Sequence, residues 1–431
     1  MYQDVVGRTI SSFARSPVSK PIRGIVRRLR EQYYNRDVLY RIATKTAPLQ
    51  IMPDPAEKVR VNLVIPEINF ESLYGGYIAK LNLAKRIDAT GRNVRFIIVD
   101  QCDYREDKLR TWVAEYEGLA DLFDHVEVAY CFDRGCAIRM NPRDVVIATT
   151  WWTAYVANDA LKFLNANKFI YLIQEYEPYT FPMGSYYAAA HASYSCPHVP
   201  AYSSLLLQEF FELNGFGVYG HGYGEACGTS FENAILSFDL DEGAMSARTP
   251  RRVLFYARPE AHATRNMFET GFMSLAFAIE RGMFASEPWE FYGIGTNHGD
   301  ILLPKNNCLR MLGKVGLQEY RRLLPMHDLG ISLMYTPHPS LLPMEMAAAG
   351  LIVVTNTCQN KTRQKMESIS RNIVAAEPTV EGIVTGLGEA LGKVDKYDQR
   401  LEGARVNWSS SWDDTFSDSW LEALIRQVTD E

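Results

Sequence analysis

The sequence predicts an α/β protein with two Rossmann-like domains that face each other across a cleft. Short runs of β-branched and aromatic residues alternate with helical stretches in both halves of the chain, a pattern typical of parallel sheets covered by helices. The chain has 431 residues, and a single hydrophobic core rarely extends beyond about 250–300 residues, so we expect two domains. Hydrophobic residues make up 47% and charged residues 22% of the chain, as in ordinary globular proteins.

The first Rossmann-like domain is predicted to span residues 59–245. Its first βαβ unit consists of the strand candidate VNLVIPEI, the glycine pair Gly75-Gly76, a helical stretch and the strand candidate VRFIIVD. Further strand candidates are residues 126–130, 144–149 and 168–174. A polar, glycine-rich and acidic stretch then interrupts the pattern, which places the domain boundary near residue 245.

The second Rossmann-like domain is predicted to span residues 246–408. Its strand candidates are residues 251–259, 289–295, 328–336 and 351–357. The tail, residues 409–431, contains a helical stretch whose apolar side chains need a partner surface. We expect this last helix to return to the first domain.

Residues 1–58 are predicted to form a basic, helical extension. Ser19 and Pro21 are typical of a helix start, and an apolar stripe with interleaved arginines follows them. Such a helix either packs on the first domain or makes a peripheral contact with anionic lipid headgroups. No apolar run reaches the roughly 18–20 residues of a membrane span. We therefore expect a cytoplasmic protein, either free or peripheral at the inner face of the membrane.

Charge and motif content argue against several classes of protein. The net charge of -6 is opposite to that of a general nucleic-acid binder, which needs a basic surface. The seven cysteines include no CxxC pair and the eight histidines no HExxH spacing, so we expect no disulfide framework and no metal site. Neither a GxSxG elbow nor a P-loop occurs in the sequence.

The strongest local signal is TPHPSLLPMEMAAAG, which lies between two strand candidates of the second half. Ser340 is a typical N-cap, Pro343 suits a first helical turn and Gly350 suits a helix end, so a short helix is predicted. Its N-terminus would lie at the carboxyl edge of the sheet, where phosphates commonly bind. Glu345, one turn into the helix, can accept hydrogen bonds from sugar hydroxyls. The alternative is an ordinary capped helix whose glutamate is favoured by the helix dipole.

A second signal is FYARPEAHATRN, where a strand candidate ends in an arginine and a polar turn follows. Arg258 and Arg265 are both placed to bind a diphosphate, because the planar guanidinium matches phosphate oxygens. Such cations would stabilise the negative charge that develops on a leaving nucleotide diphosphate. The alternative is that both arginines are merely solvated at the surface.

Three strand ends of the first half carry residues suited to a sugar cleft. The glycine pair Gly75-Gly76 allows the backbone to approach a ligand closely, although such pairs also form ordinary turns. Tryptophans and acidic side chains beside a cleft can stack on sugars and hydrogen-bond to them, whereas the tryptophans can equally fill a core. The predicted sugar or acceptor residues are Trp151, Trp152, Thr153, Glu175 and Glu177.

The motifs VIPEINFESLYGG, TTWWTAYVA, YLIQEYEP, YARPEAHATRN, LGKVGLQEY and ISLMYTPHPSLLPMEMAAAGLIVVTN, in this order, resemble the bacterial family 4 glycosyltransferases. Within that family the likeness is greatest to dTDP-rhamnose-dependent rhamnosyltransferases of S-layer glycan assembly. It covers about residues 60–375. The resemblance implies a GT-B fold, a retaining mechanism without a required metal, and transfer of a sugar from a nucleotide donor onto a growing glycan, free or lipid-linked.

The resemblance also implies roles for individual residues. Arg258 and Arg265 would bind the diphosphate, Glu345 the ribose, and the segment from Gly313 the base, largely through its backbone. The donor-binding residues predicted in this way are Gly75, Gly76, Gly313, Lys314, Val315, His338, Pro339, Ser340 and Glu345.

Two positions depart from the family pattern. Many members carry paired glutamates spaced E-x7-E, but the residue eight positions before Glu345 is Pro337. Thr264 stands where a lysine is expected, and Arg265 would supply the missing cation. Two alternatives to a transferase remain open: a sugar-nucleotide epimerase with the same cleft, and a non-catalytic module that binds nucleotide sugars.

Overall fold

The structure is a computed structural model, and it describes residues 41–68, 75–114, 116, 118–220 and 228–429. The chain divides into two compact units, Met1–Ala47 and Pro48–Glu431. The predicted helix that follows Ser19 lies outside the described residues. The extension does not reach residue 58 as predicted, because residues 50–53 form a strand of the second unit. Everything below concerns this second unit.

The first lobe is a doubly wound parallel sheet with helices on both faces. Its elements are β1 (Gln50–Pro53), β2 (Arg60–Ile65), α1 (Gly75–Ala89), β3 (Asn93–Ile98), α2 (Glu106–Val113), α3 (Leu122–His125), β4 (Glu127–Tyr130), β5 (Ala137–Met140), β6 (Val145–Ala148), α4 (Trp151–Ala160), β7 (Phe169–Ile173), α5 (Ser185–Ser193), β8 (His198–Tyr202), α6 (Leu205–Asn214) and β9 (Thr229–Ser230). The sheet order is β4-β3-β2-β6-β7-β8-β9, with β1 and β5 paired separately. All six pairings within the sheet are parallel.

The second lobe repeats this architecture. Its elements are α7 (Glu242–Ser246), β10 (Arg251–Tyr256), α8 (Phe268–Glu280), β11 (Trp289–Ile294), β12 (Ile301–Leu302), β13 (Cys308–Met311), α9 (Leu317–Leu323), β14 (Leu329–Ile331), α10 (Leu342–Ala348), β15 (Ile352–Asn356), α11 (Arg363–Ile369), β16 (Ile373–Ala376), α12 (Val380–Leu391) and α13 (Tyr397–Gly403). The sheet order is β12-β13-β11-β10-β14-β15-β16, and only the short edge strand β12 is antiparallel among the described pairings.

The chain passes from the first lobe to the second after β9, somewhat earlier than the predicted residue 245. Phe231 still packs in the first core, whereas Ile235 already packs in the second. The chain returns through α14 (Trp412–Thr415) and α15 (Asp418–Arg426). Apolar side chains of α15 join the core of the first lobe, and Arg86 on α1 contacts Asp418 at 2.8 Å. The last helix therefore packs on the first lobe.

In both sheets the strand order identifies the edge at which a ligand would bind. β2 and β6 in the first lobe, and β10 and β14 in the second, are neighbours at which the direction of winding reverses. In open α/β sheets, ligands bind outside the carboxyl ends of the strands at this point. The predicted fold class, two Rossmann-like domains, is confirmed. Among the described residues, no helix is both long and apolar enough to cross a bilayer.

Candidate active site

A cleft of about 1350 Å³ lies at the carboxyl ends of both sheets. Loops that follow β6 and β7 line it from the first lobe, and loops that follow β10, β11 and β14 line it from the second. Of the residues singled out in the sequence, those that line the cleft are Gly76, Glu175, Glu177, Arg258, Arg265, Lys314, Val315, His338, Ser340 and Glu345. The fold thus brings residues from both halves of the chain to one surface.

Arg258 is fixed at the end of β10 by three hydrogen bonds. Its guanidinium donates to Glu260 Oε2 at 3.0 Å, to Tyr256 Oη at 3.1 Å and to His262 Nε2 at 3.1 Å. Gly295 lies against this arginine: a Cβ added there would meet Arg258 Cδ at 2.9 Å, and its φ is +111°. The arginine is therefore held rigidly at the cleft wall, and the site requires glycine at the end of β11.

Arg265 lies on the short 3-10 turn Ala261–Asn266 that follows β10. Its Nε is buried and has no hydrogen-bond partner within the described part of the chain. Burial raises the pKa of Glu175, across the cleft, and the positive charges of Arg265 and Lys361 oppose that rise. Lys361 itself is fully buried behind the cleft, where it donates to the Met334 carbonyl at 2.6 Å. Arg265 and Lys361 of the second lobe therefore place positive charge near Glu175.

The segment before α10 departs from its predicted geometry. The helix begins at Leu342, and the Leu341 carbonyl accepts the Glu345 N–H at 2.9 Å, so Leu341 rather than Ser340 precedes the first turn. Ser340 instead adopts a left-handed backbone, with φ of 66°, and donates its N–H to His338 Nδ1 at 3.0 Å. Gly350, with φ of 83°, follows the helix as predicted.

His338 and its neighbours form the turn that leads into α10. Burial lowers the pKa of His338 to about 3, which keeps the ring neutral at physiological pH. Pro339 is buried and does not line the cleft. His338 therefore acts at the cleft wall as a neutral polar group rather than as a cation.

Glu345 presents a half-buried carboxylate to the cleft. Tyr320 on α9 donates its hydroxyl to Glu345 Oε2 at 2.7 Å. Burial raises the pKa of Glu345 to about 7, and the hydrogen bonds from Tyr320 and the Leu236 N–H limit this rise. The carboxylate is held by two donors from distant parts of the chain, and it is able to accept further hydrogen bonds from a ligand diol.

The segment from Gly313 lies at the same edge of the second sheet. Gly313 has φ of 81° and accepts the Gly295 N–H at 3.1 Å. The Lys314 N–H donates to Asn297 Oδ1 at 2.9 Å. Lys314 and Val315 line the same cleft as Arg258 and Glu345.

The N-terminus of α1 forms the opposite wall. Gly75 begins the helix, and the Gly76 carbonyl accepts a hydrogen bond from Gln174 Nε2 at 3.0 Å. A Cβ at Gly76 would lie 3.0 Å from Gln174 Oε1, so the glycine allows the loop after β7 to approach. Gln174 belongs to the motif YLIQEYEP and directly follows a strand, but it was not among the predicted site residues.

The prediction that Trp151, Trp152 and Thr153 contact sugars is not supported by their positions. Trp151 is fully buried and packs edge-on against Trp152 at 5.5 Å and Tyr186 at 6.0 Å. Thr153 is also fully buried, and its hydroxyl accepts the Thr150 N–H at 2.9 Å as part of the cap of α4. These residues belong to the core of the first lobe, and only the preceding threonines reach the cleft.

Glu177 and Lys80 lie together on the first-lobe side. Burial raises the pKa of Glu177 to about 8, and hydrogen bonding from the Trp151 N–H opposes the rise. Burial lowers the pKa of Lys80 to about 8, opposed by the charge of Glu177. Lys80 was not predicted from the sequence, because its position on a helix after Gly76 does not distinguish it from a surface lysine.

Among the described residues, no group of acidic, His and Cys side chains is arranged to hold a metal ion.

Two family models match this chain, one on each lobe. Residues 60–202 match the family model described as WsaF, N-terminal domain, and residues 251–388 match that described as WsaF, C-terminal domain. The chain is 30% identical over 258 residues to the O-antigen biosynthesis protein RfbC of Myxococcus xanthus, an alignment that covers 58% of this chain and 18% of that protein. The chain therefore corresponds to less than a fifth of that relative.

Solved structures of a sucrose-phosphate synthase and a starch synthase have a similar fold. The sucrose-phosphate synthase of Thermosynechococcus elongatus superposes with a TM-score of 0.53 at 11% identity, covering 86% of this chain and 97% of that one. The catalytic domain of starch synthase IV from Arabidopsis thaliana, bound to ADP and acarbose, gives a TM-score of 0.52 at 13% identity, covering 86% and 100%. The two family models fall in order on the two lobes, and these neighbours have the GT-B fold. The chain therefore carries both WsaF domains, in order, on a GT-B fold.

Proposed function

We propose that this protein is a glycosyltransferase that transfers L-rhamnose from dTDP-rhamnose to a growing bacterial surface glycan, with retention of the anomeric configuration and without a metal. The observation that carries the proposal is that Arg258, Arg265 and Glu345 all line the interlobe cleft from the second lobe. The matches to both WsaF domain models and to an O-antigen biosynthesis protein support a surface glycan as the product.

In this proposal the two arginines bind the donor diphosphate. The hydrogen bonds that hold Arg258 fix its guanidinium before the substrate arrives, so little reorganisation accompanies charge development on the leaving group. Arg265 has a buried Nε without a partner among the described residues, which a phosphate oxygen would satisfy. Glu345 accepts a hydrogen bond from the ribose, and Gly76 faces the sugar and phosphates from α1.

The proposed reaction proceeds on one face of the sugar. The bond between the anomeric carbon and the diphosphate breaks while the acceptor hydroxyl oxygen bonds to the same face. The departing phosphate takes the acceptor proton, so no side-chain nucleophile is needed. The products are the glycosylated acceptor and the nucleoside diphosphate, which accounts for all atoms and charges.

A thermal-shift screen tests the donor first. A cognate nucleotide sugar stabilises the native state by mass action, so dTDP-rhamnose is expected to raise Tm more than UDP- or GDP-sugars do. Transfer is then measured by NMR of the product, which also reports the anomeric configuration. Arg258→Ala and Glu345→Ala are expected to lower kcat/KM by roughly 10²-fold or more. Near-normal turnover in both folded variants would refute the assignment of the site, and isomerised free nucleotide sugar would indicate an epimerase instead.

A further inference from the structure

Lys361 is a completely buried lysine that lies behind the cleft of the second lobe. It closes the turn Cys358–Lys361 after β15, and its exposed fraction is 0%. Burial lowers the pKa of Lys361 to about 8, and Cys358 and Glu175 oppose this fall. The side chain does not line the cleft itself. Any effect of Lys361 on a ligand in the cleft therefore has to pass through a neighbouring group.

That neighbouring group is the backbone of Met334, shortly after the end of β14. The ammonium of Lys361 donates to the Met334 carbonyl at 2.6 Å. Asn356, at the end of β15, binds the same residue twice: its Oδ1 accepts the Met334 N–H at 2.7 Å, and its Nδ2 donates to the Met334 carbonyl at 3.2 Å. All of these groups are buried. Lys361 and Asn356 together fix the backbone at Met334.

The fixed backbone is linked directly to the turn that carries Arg265. The N–H of Tyr335 donates to the Arg265 carbonyl at 2.7 Å. The carbonyl of Met334 and the N–H of Tyr335 belong to one planar peptide group, so the orientation of one determines the orientation of the other. Lys361 is therefore connected to the backbone of Arg265 through a single rigid peptide.

The position of the Arg265 side chain depends on this backbone. Its Nε is buried and has no hydrogen-bond partner among the described residues. Arg258, in contrast, has its guanidinium held by Glu260, Tyr256 and His262. Without such a partner at Nε, the direction in which Arg265 enters the cleft is governed by the turn to which it is attached.

The turn that carries Lys361 is held at both ends and in the middle. The Cys358 N–H donates to the Lys361 carbonyl at 3.0 Å, and the Lys361 N–H donates to the Cys358 carbonyl at 2.9 Å. Between them, Asn360 Nδ2 donates to the Leu206 carbonyl of the first lobe at 2.8 Å. The backbone of Lys361 is thus fixed independently of Met334, so its ammonium can restrain Met334 rather than follow it.

We propose that Lys361 is a positioning residue of the donor site, which holds Arg265 in place for the diphosphate through the peptide that joins Met334 and Tyr335. The proposal rests on the glycosyltransferase function proposed above. Removal of the ammonium leaves this peptide freer to rotate, and Arg265 then binds the diphosphate less well. The loss should disappear when Arg265 itself is absent.

The test uses the full chain and the variant Lys361→Met, which keeps an unbranched side chain and removes the ammonium. Arg265→Ala and the double variant complete a double-mutant cycle. Lys396→Met is the matched control, since Lys396 is exposed and lies outside the cleft. Met366→Ala controls for lost packing, because Met366 is fully buried in the core of the second lobe.

Amide hydrogen exchange at Tyr335 measures the mobility of the peptide without any ligand. In Lys361→Met this exchange is expected to accelerate roughly tenfold or more, while exchange in β15 matches the wild type and shows that the lobe stays folded. Lys396→Met should match the wild type at both places, and Met366→Ala should accelerate exchange in β15 as well. Unchanged exchange at Tyr335 in Lys361→Met would overturn the proposal.

Isothermal titration with dTDP-rhamnose then measures donor affinity across the cycle. Lys361→Met is expected to weaken binding roughly tenfold when Arg265 is present and less than about twofold in the Arg265→Ala background. No loss, or an equal loss in both backgrounds, would overturn the positioning role. Failure of the wild type to bind dTDP-rhamnose would contradict the proposed function and with it the donor role of Lys361, whereas the exchange rates at Tyr335 report on the restraint of this peptide separately.

Discussion

Replacement of Tyr320 by phenylalanine is expected to change the pH dependence of donor binding. The hydroxyl of Tyr320 donates to Glu345 Oε2 at 2.7 Å, and this hydrogen bond favours the ionised carboxylate. Hydrogen bonds to charged groups contribute about 1.5–3 kcal/mol, and each pKa unit corresponds to about 1.4 kcal/mol. Loss of the hydroxyl should therefore raise the pKa of Glu345 by about one unit, from about 7 to about 8.

In the proposed donor complex, the ionised carboxylate of Glu345 is a better acceptor for the ribose hydroxyl than the protonated carboxyl is, and this sets the sign of the effect on affinity. Wild-type affinity is therefore expected to rise as pH increases through about 7. In Tyr320→Phe the rise occurs about one unit higher, so at pH 7 about a tenth of the molecules are ionised rather than half. The expected loss at pH 7 is roughly fivefold, and the two proteins converge near pH 9.

Isothermal titration from pH 6 to pH 9 measures this shift. The ligand is dTDP-rhamnose rather than dTDP, because the phosphates of the sugar ester do not titrate in this range. Tyr292→Phe is the matched control, since Tyr292 also donates to a glutamate at 2.7 Å but lies outside the cleft. A profile for Tyr320→Phe that superposes on the wild type, or a loss of affinity that is constant with pH, would refute the reasoning.

Three further predictions follow from contacts in the cleft and in the first core. Gly295→Ala places a Cβ 2.9 Å from Arg258 Cδ at a φ of +111°, so transfer should fall at least tenfold, whereas Gly299→Ala, with open space around it, should not change activity. Glu345→Gln should raise Tm more at pH 8 than at pH 5: because burial raises the pKa of Glu345 from 4.5 to about 7, the wild type loses stability as pH rises between these two values, where the unfolded chain is ionised and the folded one is not. Equal Tm differences at both pH values would contradict this. Trp151→Ala should lower the free energy of unfolding by about 3–5 kcal/mol in urea titrations, as expected for a buried core indole.

The site residues that directly follow strands could be predicted from the sequence. Arg258 and the segment before α10 come after strongly apolar runs, and the carboxyl ends of parallel strands meet at one edge of a sheet. The same reasoning failed for Trp151, which follows β6 just as closely. The first turn of a helix presents side chains both toward and away from the edge, and Trp151 points into the aromatic core beneath α5.

The backbone conformation at the start of α10 also could not be predicted from the sequence. Serine is a common N-cap, so Ser340 was expected to begin the helix. The turn instead places Ser340 in the left-handed region and moves the helix start beyond Leu341. Capping preferences are local averages worth about 1 kcal/mol, and the closure of the loop against His338 outweighs them here.

The groups that shift the pKa of Glu345 come from segments remote in sequence. No local sequence pattern could therefore predict them. Tyr320 lies on α9, 25 positions before Glu345, and Leu236 lies on the segment that joins the two lobes. Leu236 contributes through its backbone N–H, which carries no side-chain signature at all. The ionisation of Glu345 is thus set jointly by α9, α10 and the connecting segment. A substitution that displaces the Leu236 N–H should therefore change donor affinity through the pKa of Glu345.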